Sequence, residues 1–351
     1  MAGKIADIPY CSSSFLMHRT VIDQTKVFDV RLPIRYYSRG ECDQIHDSFE
    51  LEASLKRQVE EACKGGCAAL ALSGGIDSAI LAKFMPKGSK AYTFKCVVPG
   101  IQVTDESPQA ARYAQECGLI HEVVEIYWED VEAFAPKLML HKGAPIHSIE
   151  VQIYKAACKA KADGCDILIF GESADCNYGG LSNVMSREWT FGEYVDRYSY
   201  VLPYKALKEW SLELTPFVRH CRPDGFVDVH EHFRNEYFPE SMGSYANAME
   251  CAGVGLVAPY ANTWMACDMD YERVRAGENK YLIREVFNRL YPGWTVPKKT
   301  PMPRPTEQWL EGYAPTRSEF WPNCTTNMTG DQKWLVWALE AFLNQLDTLP
   351  E

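Results

Sequence analysis

The residues best suited to chemistry lie within 70–84, LALSGGIDSAILAKF, where an apolar run ends at Leu72 and another opens at Ala79. Between them stand two serines, two glycines and one acid. Glycines at 74 and 75 let a backbone curl closely around an oxyanion with no Cβ in the way. The hydroxyls of Ser73 and Ser78 can donate to phosphate oxygens. An acid beside phosphates is repulsive unless a cation lies between them, so Asp77 points to Mg²⁺, a hard ion held by carboxylate and phosphate oxygens. No G-x-x-x-x-G-K-[ST] string occurs, so this is not a Walker loop. A second polar break, GESAD (171–175), follows the apolar DILIF (166–170) in the same way.

Both breaks sit where regular elements would present them. Leu51, Leu55, Val59 and Ala62 recur at helical spacing from Asp47 or Ser48, and Gly65-Gly66 closes that helix. CAALAL (67–72) reads as a buried strand and residues 78–85 as a helix stopped by Pro86. AYTFKCVV (91–98) is a strand, and a helix capped by Thr104 or Asp105 runs to Gly118. HEVVEI (121–126) is a strand, WEDVEAFAPKLML a helical stretch broken by Pro136, and IEVQIYKAACKAKA a helix ended by Gly164. Such alternation predicts an α/β fold with a doubly wound parallel sheet. Ligands of such sheets bind at the carboxyl ends of the strands, where SGGIDS and GESAD both fall. Residues 1–47 read as extended pieces with no helical period, 48–185 as the nucleotide-binding core, and 186–351 as a mostly helical part covering the open sheet edge. GVGLVA (253–258) follows a helical pattern and precedes Pro259, so it reads as packing, not a dinucleotide fingerprint.

The 351 residues are 46% hydrophobic and 24% charged, as in globular proteins, with a net charge of -11 that disfavours nucleic acid or an anionic membrane as a standing partner. The N-terminus lacks the layout of a signal peptide, and the thirteen scattered cysteines read as reduced thiols, which gives a cytoplasmic expectation. Cys63 with Cys67, and His230 with His232, have spacings compatible with metal ligation. An ordinary structural role accounts better for each pair.

SGGIDS resembles the signature of the PP-loop ATP pyrophosphatases. FGESADCNYGG (170–180) resembles the GEGxDExxGG segment of the asparagine synthetase and β-lactam synthetase branch, and YPGWTVPKKTPMPRP (291–305) is similar to its late lysine-bearing segment, with Lys299 on the lysine. The resemblance spans roughly 48–310. It implies an adenine-nucleotide α-hydrolase-like fold and an AMP-forming ligase that activates a carboxylate as an acyl-adenylate, releases pyrophosphate and passes the acyl group to ammonia or an amine. It further implies that Asp77 and Asp175 hold Mg²⁺ and that Leu72, Ser73, Gly74, Gly75, Ser78, Thr93, Phe94, Val97 and Gly171 meet ATP. Lys299 would offset charge at the α-phosphate, and Glu172 would act on the incoming amine. His147, Ser148, Glu150 and Tyr178 are candidates for the substrate pocket.

Two departures stand out. Cys176 and Asn177 replace the family's second acid. Some 47 residues before the first expected helix are too few for a glutaminase, so ammonia would come free or from a separate glutaminase subunit, unless a substrate amine is the nucleophile. A homodimer is also admitted. Two other functions stay open here: adenylation serving a different nucleophile, as in tRNA base thiolation, and a nucleotide-binding relative without catalysis.

Overall fold

A computed structural model describes residues 3–298 and 302–350. Its main sheet has five parallel strands: β1 (Ala68–Ala71), β2 (Lys90–Cys96), β3 (Ile120–Ile126), β4 (Ile167–Ile169) and β5 (Gly255–Val257). They lie in the order β3-β2-β1-β4-β5. Leu70 of β1 pairs with both Ala91 of β2 and Ile169 of β4, which makes β1 the central strand. Successive β1 residues feed opposite faces. Ala68 and Leu70 enter one core and Ala69 and Ala71 the other, which is why the strand reads as an unbroken apolar run.

The major helices are α1 (Ile8–His18), α2 (Ser48–Lys64), α3 (Ile76–Phe84), α4 (Ser107–Cys117), α5 (Trp128–Lys142), α6 (Glu150–Ala162), α7 (Phe238–Ala252), α8 (Tyr281–Leu290) and α9 (Gly330–Leu346). On one face, Leu51 and Leu55 of α2, Ile80 of α3, Tyr113 of α4 and Phe287 of α8 share a core. On the other, Phe15 of α1, Leu138 of α5, Ile153 of α6, Met249 of α7 and Phe342 of α9 do the same. The start of α2 is set by Asp47, whose side chain accepts from the amides of Phe49 and Glu50. Gly118 ends α4 in the left-handed conformation at φ 68°.

Three elements differ from the sequence expectation. The N-terminal segment contains α1, a full helix capped by Asp7. Every residue from Cys11 to His18 is buried, so small serines and large apolar groups share the interior and leave no polar face to mark a period. Helix α5 is not broken by Pro136 but runs through it, held by the buried stripe Val131, Ala135, Leu138 and Met139. GVGLVA is neither loop nor simple packing. Gly253, at φ 68°, ends α7, and Gly255–Val257 then pairs with Ile167–Ile169 as the fifth strand. Three residues are too few for alternation to show. No helix among the described residues is long and apolar enough to cross a membrane.

Gly143 joins the N-terminal segment to the rest. It ends α5 at φ +73°, and a Cβ there would stand 2.5 Å from the Pro33 carbonyl oxygen. Gly143→Ala is expected to lower folding stability by at least about 2 kcal/mol, since left-handed strain and a backbone collision add. A denaturant midpoint equal to wild type would show that residues 32–33 do not dock as described.

Candidate active site

The chain leaves β1, builds β2 and β3 to one side, then returns to place β4 and β5 on the other. The gap where its direction reverses lies between the carboxyl ends of β1 and β4, and such a gap is where open α/β sheets bind ligands. SGGIDS leaves β1 there and GESAD leaves β4. Gly75 adopts an extended conformation and caps α3 with no side-chain hydrogen bond, so the amides of the first helical turn point into the gap. Ser78 braces the loop: its Oγ accepts from the Ser73 amide at 3.0 Å and lies 3.0 Å from Ser73 Oγ. The second loop crosses close by. A Cβ on Gly171 would stand 3.1 Å from the Ser78 amide nitrogen and 3.2 Å from Asp77 Cβ.

Two carboxylates from these loops meet one cation. Lys280 Nζ donates to Asp77 Oδ2 at 2.6 Å and lies 2.8 Å from Asp175 Oδ1. Lys280 precedes α8 in a left-handed conformation (φ 54°) and is buried. Burial alone would lower its pKa, but the Asp175 and Asp77 charges outweigh that and hold it above the usual lysine value. Gly180 keeps the arrangement possible, since a Cβ there would collide with the Asp175 carboxylate and the Lys280 side chain.

Glu172 stands beside this group. Its Oε1 accepts from Ser241 Oγ of α7 at 2.8 Å, and Tyr245 of the same helix also hydrogen-bonds to it. Burial raises the Glu172 pKa from its ordinary value, against these hydrogen bonds, and the Asp175 charge adds to the rise. Glu106, at the start of α4, is pushed up to about 7, first by burial and then by Asp105, while a hydrogen bond from the Gly74 amide opposes the shift.

These groups line a cavity of about 410 Å³, within the range of small-molecule sites. Leu72, Ser73, Gly74, Gly75, Asp77 and Ser78 form one wall, and Thr93 and Phe94 of β2 another; Gly171, Glu172 and Asp175 close it from β4. Val97 lies outside, its amide spent on the Ile126 carbonyl at 2.8 Å in the β2–β3 ladder. The four pocket candidates are also outside. His147 contacts the Arg19 guanidinium, and Ser148 is buried beside it. Glu150 pairs with Lys142 at 2.7 Å and accepts from Asn247 at 2.7 Å. Tyr178 donates to Thr263 Oγ1 at 2.7 Å in the core. All four are buried away from this cavity. Lys299 lies outside the described residues; Lys298 and Met302 on either side line the cavity.

Lys280 and Arg284 are among the lining residues that the sequence does not single out, and Glu106, from the acidic stretch 104–107, lines the cavity with them. The helical spacing of NKYLIREVFNRLY is visible, but nothing local says that its first lysine turns back toward residues 200 positions earlier. No group of three or more His, Cys, Asp or Glu able to hold a metal occurs among the described residues. His232 instead meets the Tyr194 hydroxyl at 3.1 Å and stacks on Phe217, and His230 stacks on Trp264. Asp77 and Asp175 supply two carboxylates around one cation position, which suits Mg²⁺ when waters or phosphate oxygens complete its shell. The residues therefore fit a cation that arrives with a phosphorylated ligand.

The sequence pattern of the asparagine synthase family matches residues 50–266, more than half of the chain, and the chain belongs to that family. This is a family of ATP-using amide ligases. Among curated proteins none matches it in sequence. Among the solved structures that resemble it are two synthetases. An NH3-dependent NAD synthetase from Campylobacter jejuni has 15% identity over 38% of this chain and 61% of its own, at a TM-score of 0.26. The NMN synthetase from Francisella tularensis has 12% identity over 73% of this chain and 99% of its own, at a TM-score of 0.27. The chain thus spans about three fifths of the Campylobacter protein, and neither likeness bears on the chemistry.

Lys280→Met should remove the buried ammonium that both carboxylates contact. A loss of about 3 kcal/mol in folding stability is expected without divalent cations, partly recovered by millimolar Mg²⁺. Thermal unfolding with and without Mg²⁺ measures this; an unchanged melting curve would remove Lys280 from the centre of the site.

Proposed function

We propose that this protein is an AMP-forming amide ligase that binds ATP with Mg²⁺ in the cavity between β1 and β4. The observation that carries this reading is the convergence of Asp77 and Asp175 on one cation position beside the amide-rich turn of SGGIDS. The first-turn amides of α3, with Ser73 and Ser78, would grip the pyrophosphate portion of ATP. Asp77 and Asp175 would hold Mg²⁺, which when bound offsets phosphate charge. Lys280 keeps the two carboxylates together, and Arg284, pinned to Asn279 at 2.6 Å, adds a second cation to the cavity wall. Backbone groups near Thr93 and Phe94 face the position expected for the adenine.

In the first step a carboxylate oxygen of the substrate attacks the α-phosphorus, the bond to the bridging oxygen breaks, and pyrophosphate leaves. In the second, ammonia or an amine attacks the acyl carbon and AMP departs. Glu172 takes the proton from the attacking nitrogen. Burial raises its pKa, which strengthens it as a base. Ser241 and Tyr245 fix the direction of its carboxylate. The carboxylate substrate is a small molecule or peptide; the nitrogen comes free, from a substrate amine or from a separate glutaminase subunit.

Incubation with ATP, Mg²⁺, ammonia and a panel of carboxylic acids should yield AMP and pyrophosphate in equal amounts, and Asp77→Asn should abolish the release while the protein stays folded. Formation of ADP and phosphate instead would contradict the proposal. A second test uses pH. Because burial raises Glu172, kcat/KM should climb with pH through an inflection above the ordinary glutamate value as the base deprotonates. Glu172→Gln should erase that limb and lower kcat by about 10²-fold or more. An intact limb in the variant would assign the base elsewhere.

A further inference from the structure

The turn of SGGIDS already holds an anion belonging to the chain itself. Glu106 Oε2 accepts from the Gly74 amide at 3.4 Å, a long hydrogen bond. The other two turn amides are satisfied within the turn, Ser73 by Ser78 Oγ and Gly75 by Ser73 Oγ. Gly74 is thus the turn amide given to a carboxylate from another element. The approach is close: a Cβ on Gly74 would stand 3.3 Å from Glu106 Cβ and 3.4 Å from Gln109 Cβ. Glu106 lines the same cavity as Asp77 and Asp175.

No cation pairs directly with Glu106 among the described residues. Lys95 is engaged by Asp105 at 3.1 Å, Lys280 by the two aspartates, and Arg284 by Asn279. Asp105 faces Glu106 from its own element, Asp77 stands on the turn it packs against, and Lys280, Arg284 and Lys298 line the far walls. A carboxylate held by one long bond, near other acids, is easily displaced by a better-charged anion and is also easily protonated.

Resting on the ATP reading of the cavity, we propose that Glu106 occupies a phosphate position in the free protein and takes up a proton from solvent when triphosphate displaces it, the carboxylic acid then donating a hydrogen bond to a phosphate oxygen. The sign follows from electrostatics. Free Glu106 titrates at about 7. An adjacent phosphate disfavours the carboxylate further, so the complex keeps the proton to higher pH. Below pH 7 binding takes up almost no proton at this group. Above it, uptake approaches one proton and affinity falls about tenfold per pH unit.

Calorimetric titration of the full chain with ATP and Mg²⁺, between pH 6.5 and 8.5 in two buffers of different ionisation enthalpy, counts the protons directly. Wild type should lose about tenfold in affinity between pH 7.5 and 8.5 with uptake near one proton. Glu106→Gln should abolish the Glu106-dependent part of that slope and bind at least about tenfold more tightly than wild type at pH 8.5, and Glu106→Ala should also lose the slope. Asp105→Asn should keep it. Thermal unfolding confirms that each variant is folded. A Glu106→Gln protein with the wild-type slope would overturn the inference, as would a folded one that binds no nucleotide at any pH, since the carboxylate would then be required. Binding by wild type with no pH dependence overturns this inference alone; no binding at any pH overturns the ligase reading with it.

Discussion

Two carboxylates held on one buried ammonium organise this molecule. Asp77 and Asp175 arrive from loops separated by some hundred residues and would repel each other in a partly desolvated gap. Lys280 offsets that repulsion, at the cost of its own desolvation, only because the geometry is close: 2.6 Å and 2.8 Å to the two acids. Its approach depends on α8, and α8 is fastened to the first half of the fold. Arg289 near the end of α8 bonds Ser48 Oγ at 2.9 Å and Glu52 Oε2 at 2.9 Å on α2, while Tyr291 donates to the Ala79 carbonyl of α3 at 2.6 Å. The second half of the chain is therefore wired to the turn it serves.

The repeating part of the fold was legible because burial on both faces of a parallel sheet writes itself as apolar runs, and because glycine-rich breaks at strand ends stand out against them. The family resemblance drawn from SGGIDS and GESAD agrees with the match over residues 50–266. What escaped has a common physical cause. From Cys11 onward helix α1 is surrounded by protein, so no polar face gives it a period. Strand β5 is three residues long and takes its identity from pairing with β4. Lys280 acts through contacts with residues far away in sequence, and no local pattern marks it.

The residues expected to form a substrate wall reveal a different piece of engineering. Arg19 donates to Glu240 at 2.7 Å, contacts His147 and lies 4.1 Å from the centre of the Tyr200 ring. Burial holds His147 neutral, well below the ordinary histidine pKa, with the Arg19 charge reinforcing the effect. Glu240 neighbours Ser241, the hydroxyl that orients Glu172. The N-terminal segment is thereby bonded to the same turn of α7 that positions the candidate base. Truncating it would leave Glu240 buried and unpaired, a change expected to cost several kcal/mol.

The register between β1 and β4 sets the bite of the site. Hydrogen-bonded strands lie about 4.8 Å apart, and Leu70 opposite Ile169 locks the two ends that launch Asp77 and Asp175. Peptide geometry is a ruler that neither loop can stretch. In the proposed metal site, choice among divalent ions of different radius would then reside in side-chain reach: lengthening either acid by one methylene, Asp to Glu, would narrow the gap and reset ionic preference while every strand stays in place.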